Sequence, residues 1–227
     1  MLGKFDDSSL VKDIKKILPK DHIIILKPQN KKDIVLLVTK ESHVLGDLLI
    51  RYVSGELNAN IKAVISNHNH LRSLVEKFDI PYHFVDVKNL DREEHEKELC
   101  KKIDIYNPEI IVLAKYMRIL TPKFVGYYEG KVLNIHHSFL PAFIGANPYK
   151  QAHSRGVKII GATAHYVTND LDEGPIVYQD ITRVDHTYSW QDMRNAGRNV
   201  EKVVLSNALQ LLLDDKVLTY TNKTVIL

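Results

Sequence analysis

Between residue 33 and residue 135 the chain alternates short, mostly apolar runs with longer stretches whose apolar residues recur every three or four positions. The runs at 34–38, 61–65, 82–85, 109–113 and 132–135 have strand length and lack the apolar–polar alternation of a sheet with one wet face. They predict strands buried on both sides. The stretches between them, at 45–52, 71–78, 92–106 and 122–127, predict amphipathic helices. This alternation specifies an α/β fold, a mostly parallel, doubly wound sheet covered by helices on both faces. Such sheets take their ligands beyond the carboxyl ends of the strands.

Downstream, the run 159–164 and the stretch 175–184 predict two further strands, and 190–213 a long helix with Val200, Val203, Val204, Ala208, Leu211 and Leu212 on its apolar side. Gly197 inside that helix costs about 1 kcal/mol relative to alanine, so either its backbone is closely approached or the helix starts later. A C-terminal hairpin is expected from 218–220 and 224–227 about Asn222-Lys223. At the other end, 7–18 predicts a short helix capped by Ser8 or Ser9 and ended by Pro19, then a strand at 22–26 and a linker at 28–32. One helix and one strand cannot bury a core of their own.

Composition changes this picture little. With 227 residues, 44% hydrophobic and 26% charged, the chain is long enough for a real core and is ordinary for a soluble globular protein. A net charge of +3 is too slight to call for nucleic acid. The single cysteine, Cys100, forms no intrachain disulfide and reads as a packed thiol in a reducing compartment. The start has no basic-then-apolar leader, and no run approaches the ~18 apolar residues of a membrane span. The expectation is a cytoplasmic protein without membrane or nucleic-acid partners.

The chemistry gathers in residues 131–175. The run 132–135 leads into Asn134, His136 and His137, and the run 159–164 into His165 and Asp172. Taken singly, these are turn-forming or capping residue types. Brought together, an amide, an imidazole and a carboxylate suit attack on an amide-like carbonyl. Asn134 can donate to the developing oxyanion, His136 can donate as imidazolium, and Asp172 can hold that ring charged or accept a proton from water.

The order Asn134-Ile135-His136-His137-Ser138-Phe139-Leu140-Pro141, followed by His165-Tyr166-Val167 and Leu171-Asp172-Glu173-Gly174-Pro175, resembles the active-site signature of the formyltransferase family that uses formyltetrahydrofolate. The resemblance implies the Rossmann-like fold of that family, a small folate substrate, no separate cofactor because 10-formyltetrahydrofolate is itself the substrate, and a homo-oligomer. It implies Asp172, His136 and Asn134 as catalytic residues, His165 as support for the Asp172 loop, and His137 either as a water-positioning group or as a packed polar residue. The stretch Lys115-Tyr116-Met117-Arg118-Ile119-Leu120 resembles the family's folate-binding stretch. Met117, Arg118 and Leu120 are thereby expected at the pterin, with Val167 and Asp170 in the loop that closes its other side.

The family contains amine-formylating transferases and a hydrolase, so the signature alone does not choose the reaction. In the glycinamide ribonucleotide transferases the first strand-to-helix loop is glycine-rich and holds the acceptor's phosphate. Here it reads Thr39-Lys40-Glu41-Ser42-His43, and Glu41 would face that phosphate, a repulsion of about 1 to 4 kcal/mol at ~4 Å. The likeness therefore implies hydrolysis of 10-formyltetrahydrofolate to tetrahydrofolate and formate, the formate serving purine biosynthesis. Formyl transfer to phosphoribosylglycinamide and non-catalytic folate binding are the other readings. The first thirty residues resemble the tail of an ACT module, the rest of which the chain lacks; the expectation is that Met1 marks a truncated or internally started product, and amino-acid control is left open. His68, His70, His83 and His95 read as solvent-facing, and no metal is expected.

Overall fold

The five apolar runs of the first half are strands in the computed structural model. β1 (Lys32–Val38), β2 (Ala59–Ser66), β3 (Tyr82–Phe84), β4 (Ile110–Leu113) and β5 (Val132–His136) pair in parallel in the order β3-β2-β1-β4-β5. The last five residues of β1 and all four of β4 are buried, because both faces of the sheet are covered. The structure describes residues 7–19, 24, 30–88, 90–143 and 147–227. Met1–Asn30 and Lys31–Leu227 are separate units. In the first, α1 (Asp7–Ile17) matches the expected helix; the strand expected at 22–26 lies outside the described residues apart from Ile24, which is not in a strand.

In the larger unit, alternate strand residues feed two cores. Ile34, Leu36, Val112, Leu133 and Ile135 pack with α2 (His43–Val53), α3 (Arg72–Val75) and α7 (Trp190–Leu213). Val35, Leu37, Ile111, Leu113 and Val132 pack with α4 (Arg92–Asp104) and with Phe124 of α5 (Pro122–Tyr127). Helix starts follow local chemistry: α4 opens on a capping box of Asp91 and Glu94, and α7 on one of Ser189 and Asp192. The helix expected at 71–78 is only one α turn followed by a 3-10 turn, Glu76–Phe78, closed by Asp79 at φ 56°.

The second half departs more from expectation. β6 (Ile159–Tyr166) runs antiparallel to β5, and β7 (Ile176–Arg183) antiparallel to β6. Both strands carrying the motifs are longer than their apolar runs. His136 and His165 lie inside β5 and β6, with Asn134 directly opposite His165, so the two motifs do not meet as two strand ends. A helix that apolar patterning did not predict, α6 (Pro148–Ser154), starts on a proline; at seven residues it is too short to show a period. The C-terminal hairpin is β8 (Val217–Tyr220) and β9 (Lys223–Ile226). Tyr220 pairs with Lys223, so the turn is Thr221-Asn222, one residue earlier than expected.

α6 also answers the question of Gly197. α7 is continuous through it, and a Cβ at 197 would lie 2.2 Å from the Tyr149 hydroxyl and 2.4 Å from its ring. The close approach, not a late start, explains the glycine. Gly197→Ala gains about 1 kcal/mol of helix propensity. It must displace a buried ring, at about 1–3 kcal/mol, and strip a hydrogen bond from a buried carboxylate, at about 1–3 kcal/mol more. The variant is expected to unfold at lower denaturant than the parent, read as a fall in the urea midpoint with an unchanged slope.

Candidate active site

Strand order reverses between β1 and β4, since β2 and β3 extend the sheet on one side and β5 on the other. The loops leaving the carboxyl ends of these strands diverge there and leave a crevice. Met117 on the loop after β4 donates its backbone N–H to the Thr39 hydroxyl after β1, at 2.9 Å. Thr121, which caps α5, gives its N–H to Glu96 of α4 at 2.8 Å. These bonds fix both ends of the 117–121 loop. A cavity of about 670 Å³ opens beside it.

Every candidate residue lines this cavity: Asn134, His136, His137, His165 and Asp172, and also Met117, Arg118, Leu120, Val167 and Asp170. Asn134, His136 and His165 share one face of the sheet because strand residues two apart, and residues directly paired, project the same way. Asp172 is brought to them by the hairpin between β6 and β7. That hairpin closes tightly: Tyr166 N–H donates to the Pro175 carbonyl at 2.9 Å, and a Cβ at Gly174 would lie 1.8 Å from the Tyr166 carbonyl oxygen. Asp172 itself sits at φ 59°, a conformation aspartate adopts at some cost.

The result is a short polar chain. Asp172 Oδ1 lies 3.2 Å from His136 Nδ1 and 3.7 Å from His165 Nε2. His165 donates through Nδ1 to the Tyr166 carbonyl at 2.9 Å, which leaves Nε2 to accept from the Asn134 amide at 3.1 Å. Burial holds His165 below the usual imidazole range, in keeping with this neutral, accepting form. Burial pushes Asp172 up, but the His136 hydrogen bond and the neighbouring imidazoles outweigh it, so its carboxyl lies below the usual range. The carboxylate takes up His136 Nδ1, and His136 Nε2, buried and without a partner among the described residues, is the ring atom left for a substrate. His137 follows, its ring 5.3 Å from that of His136 and 6.0 Å from that of Tyr149; burial first, then the Lys115 charge, pushes it down to about 4.

The same cavity is also lined by a charged cluster that the sequence reading found only at Glu41. Glu201, 1% exposed, accepts from Tyr149 at 2.6 Å and lies 2.8 Å from His43 Nε2 and 3.2 Å from Lys115 Nζ. Glu41 is held by Arg194 at 3.1 Å and Arg198 at 3.3 Å. A signal existed: Arg194, Gly197, Arg198 and Glu201 recur at i, i+3, i+4 and i+7, a polar stripe on a mostly apolar helix. Of the remaining histidines read as solvent-facing, two are corrected: His83 is half-buried with Nε2 2.6 Å from the Tyr106 hydroxyl, and His95 departs further. His95 is buried, 1% exposed, with Nε2 3.3 Å from the Val85 carbonyl, because it lies on the inward face of α4.

Residues 32–209 match the family model described as formyl transferase. The chain belongs to the formyl transferase family. It is 56% identical to formyltetrahydrofolate deformylase of Haemophilus influenzae over 99% of this chain and 81% of that one. Among solved structures, a formyltetrahydrofolate deformylase from Pseudomonas syringae superposes with a TM-score of 0.85 at 51% identity, over 87% of this formyl transferase chain and 66% of that chain. A phosphoribosylglycinamide formyltransferase from Anaplasma phagocytophilum superposes with a TM-score of 0.80 at 28% identity, over 87% and 95%. The mostly parallel seven-stranded sheet with flanking helices is thus the sheet of this family.

Two outcomes test the geometry. Gly174→Ala cannot close the hairpin as described, so it is expected to lower the urea midpoint, with overpacking worth about 1–3 kcal/mol, and to abolish the His136–Asp172 contact in a crystal structure of the variant. A carboxyl whose folded pKa lies below its ordinary 3.8 adds stability that is complete above that value and is lost as the pH falls through the lower folded one. The difference in urea midpoint between the parent and Asp172→Asn is therefore expected to be steady at neutral pH and to shrink below pH 3.8.

Proposed function

We propose that the protein hydrolyses 10-formyltetrahydrofolate to tetrahydrofolate and formate. The observation that carries this is the His136–Asp172 pair beside the Asn134–His165 pair, on the wall of one cavity of about 670 Å³, a size that suits a folate. The 50–56% identity to proteins named formyltetrahydrofolate deformylase supports the same reaction. The pterin lies between the Met117–Leu120 stretch and the hairpin carrying Val167 and Asp170, and the formyl group reaches the polar chain.

Water adds to the formyl carbon and charge develops on the formyl oxygen. Asn134 has two amide hydrogens; one goes to His165, and the other is free for the oxyanion. His136 in its protonated form donates through Nε2, and Asp172 on Nδ1 fixes the ring's orientation. A carboxylate held below its usual range is a weak base, so Asp172 serves first as that anchor and accepts the water proton only as the bond to carbon forms. His137, neutral near pH 7, offers water an acceptor in the same cavity. The proton lost by water is delivered to N10, the C–N10 bond breaks, and formate leaves.

The reading places the reaction in the cytoplasm, in a homo-oligomer, with no cofactor besides the folate. Among the described residues no helix is long and apolar enough to cross a membrane, and no group of three or more His, Cys, Asp or Glu side chains could hold a metal ion. Purified protein given 10-formyltetrahydrofolate without any amine is expected to release formate and tetrahydrofolate in equal amounts. Asp172→Asn is expected to lower kcat by about 10²–10⁴-fold with folate affinity, measured by fluorescence or calorimetry, little changed. Parent-like turnover by that variant would discard the assignment of Asp172.

A further inference from the structure

Past His136 the chain leaves the sheet, and the backbone of the next residues is held by two side chains from neighbouring strands. The Thr163 hydroxyl donates to the Ser138 carbonyl at 2.9 Å and accepts from the Leu140 N–H at 3.0 Å. The Gln179 amide donates one hydrogen to that hydroxyl at 2.8 Å and the other to the Leu140 carbonyl at 3.0 Å. A hydroxyl has one hydrogen and two lone pairs, and a primary amide nitrogen has two hydrogens, so both groups are fully spent on this clamp. Strand pairing explains the reach: Thr163 is paired with His136 on one side and with Gln179 on the other, which puts the three in a row on one face of the sheet. Thr163 is wholly buried and Gln179 half-buried, and neither is among the residues that line the cavity.

Resting on the hydrolytic reading above, we infer that Gln179 is a positioning residue for the reaction: through Thr163 and Leu140 it fixes the turn 138–140 and so holds His137, and with it His136, in place at the cavity. Asp172 already orients the His136 ring through Nδ1, so the clamp matters most for His137, whose ring is placed by the backbone that enters the turn. An apolar side chain of the same length at 179 would fill the same space. It would leave the carbonyl of Leu140, a residue 5% exposed, without the Gln179 hydrogen. A buried carbonyl that loses its donor is costly, and the turn relaxes toward water to recover one. A group displaced by about 1 Å from its productive place costs on the order of 10²-fold in rate. Gln179 touches no reacting atom, and its effect reaches the chemistry only through the backbone it holds.

The test uses the full chain carrying Gln179→Met, which keeps the length and loses both amide hydrogens, and Gln179→Glu, which keeps the shape and loses them once ionised. Formate release from 10-formyltetrahydrofolate is followed, with the folded fraction checked by circular dichroism. At pH 8 both variants are expected to lose about 10–100-fold in kcat, with KM for the folate within about twofold of the parent. Lowering the pH to 5 protonates the half-buried new carboxyl, whose burial favours the neutral form, and returns one hydrogen to the clamp. The kcat of Gln179→Glu relative to the parent is therefore expected to rise by about threefold or more. A bond that served folding alone would lower the urea midpoint and leave the kcat of the folded enzyme unchanged, and that outcome overturns the proposal. A Gln179→Glu loss that is the same at both pH values overturns it as well. Should Gln179→Met fail to fold, Gln179→Glu carries the same comparison. A crystal structure of the folded variant is expected to show the turn 138–140 and the His137 ring displaced by about 0.5 Å or more, and an unmoved turn overturns the positioning role. That arm needs no turnover, so a parent that releases no formate would remove the hydrolytic reading while leaving the clamp decided on its own measurement.

Discussion

The antiparallel register of β5 and β6 is the constraint on which the site depends. With Asn134 opposite His165 and His136 opposite Thr163, four polar side chains share one face of a sheet whose central strands are mostly apolar. A slip of one residue would send Asn134 and His136 into the core that holds Leu133 and Ile135. The hairpin that follows is equally determined, because its first and last residues are hydrogen-bonded and Gly174 meets the Tyr166 carbonyl with no room for a side chain. Given that closure, Asp172 can only turn back toward the strand it came from. The unusual φ of Asp172 is a consequence of that path and is tolerated because His136 and the surrounding backbone hold it.

Two polar groups flank His137, and they differ in how their charges are met. Around Asp172 the pairing is incomplete: His136 Nε2 has no partner and one Asn134 hydrogen is uncommitted, so donors remain directed at whatever occupies the cavity. Around Glu201 the carboxylate is met by an ammonium, an imidazole and a phenol, while His43 Nδ1 and Arg198 Nε beside it are buried without a hydrogen-bond partner among the described residues. In a low-dielectric setting unmet donors are expensive and persist where a ligand answers them. Burial pushes the Tyr149 hydroxyl far up, aided by the Glu201 charge. It therefore stays a donor to Glu201 at every pH near neutrality.

The layered sheet was legible because strands buried on both faces must be continuously apolar, and 34–38 and 110–113 are so. The motif residues were legible as chemistry, being an amide, imidazoles and a carboxylate at the ends of such runs. Their geometry was less so. Nothing in the run 159–164 shows that the strand continues through His165 or that it runs antiparallel, since direction is set by the long connection 137–158 and not by the strand's own residues. α6 was missed because seven residues beginning at a proline carry no period, and with it went Tyr149 and the reason for Gly197. Lys115 and Glu201 were invisible for another reason: a buried ion pair is formed by residues that are far apart in sequence, and each alone reads as an ordinary surface charge.

These separate contributions meet in the choice of nucleophile. The same sheet, superposing on a phosphoribosylglycinamide formyltransferase with a TM-score of 0.80 at 28% identity, serves proteins named for different reactions, so the backbone cannot be what selects between water and an amine. Selection must lie in side chains that line the cavity without belonging to the polar chain at Asp172. Glu41, Lys115, Arg194, Arg198 and Glu201 are such side chains. Each carboxylate among them is matched within about 3 Å by a cation, which limits the net field the cluster adds at the formyl carbon. Arg198 nevertheless keeps Nε buried and without a partner among the described residues. The cluster at Glu201 and the polar chain at Asp172 thus line one cavity with different balances of charge.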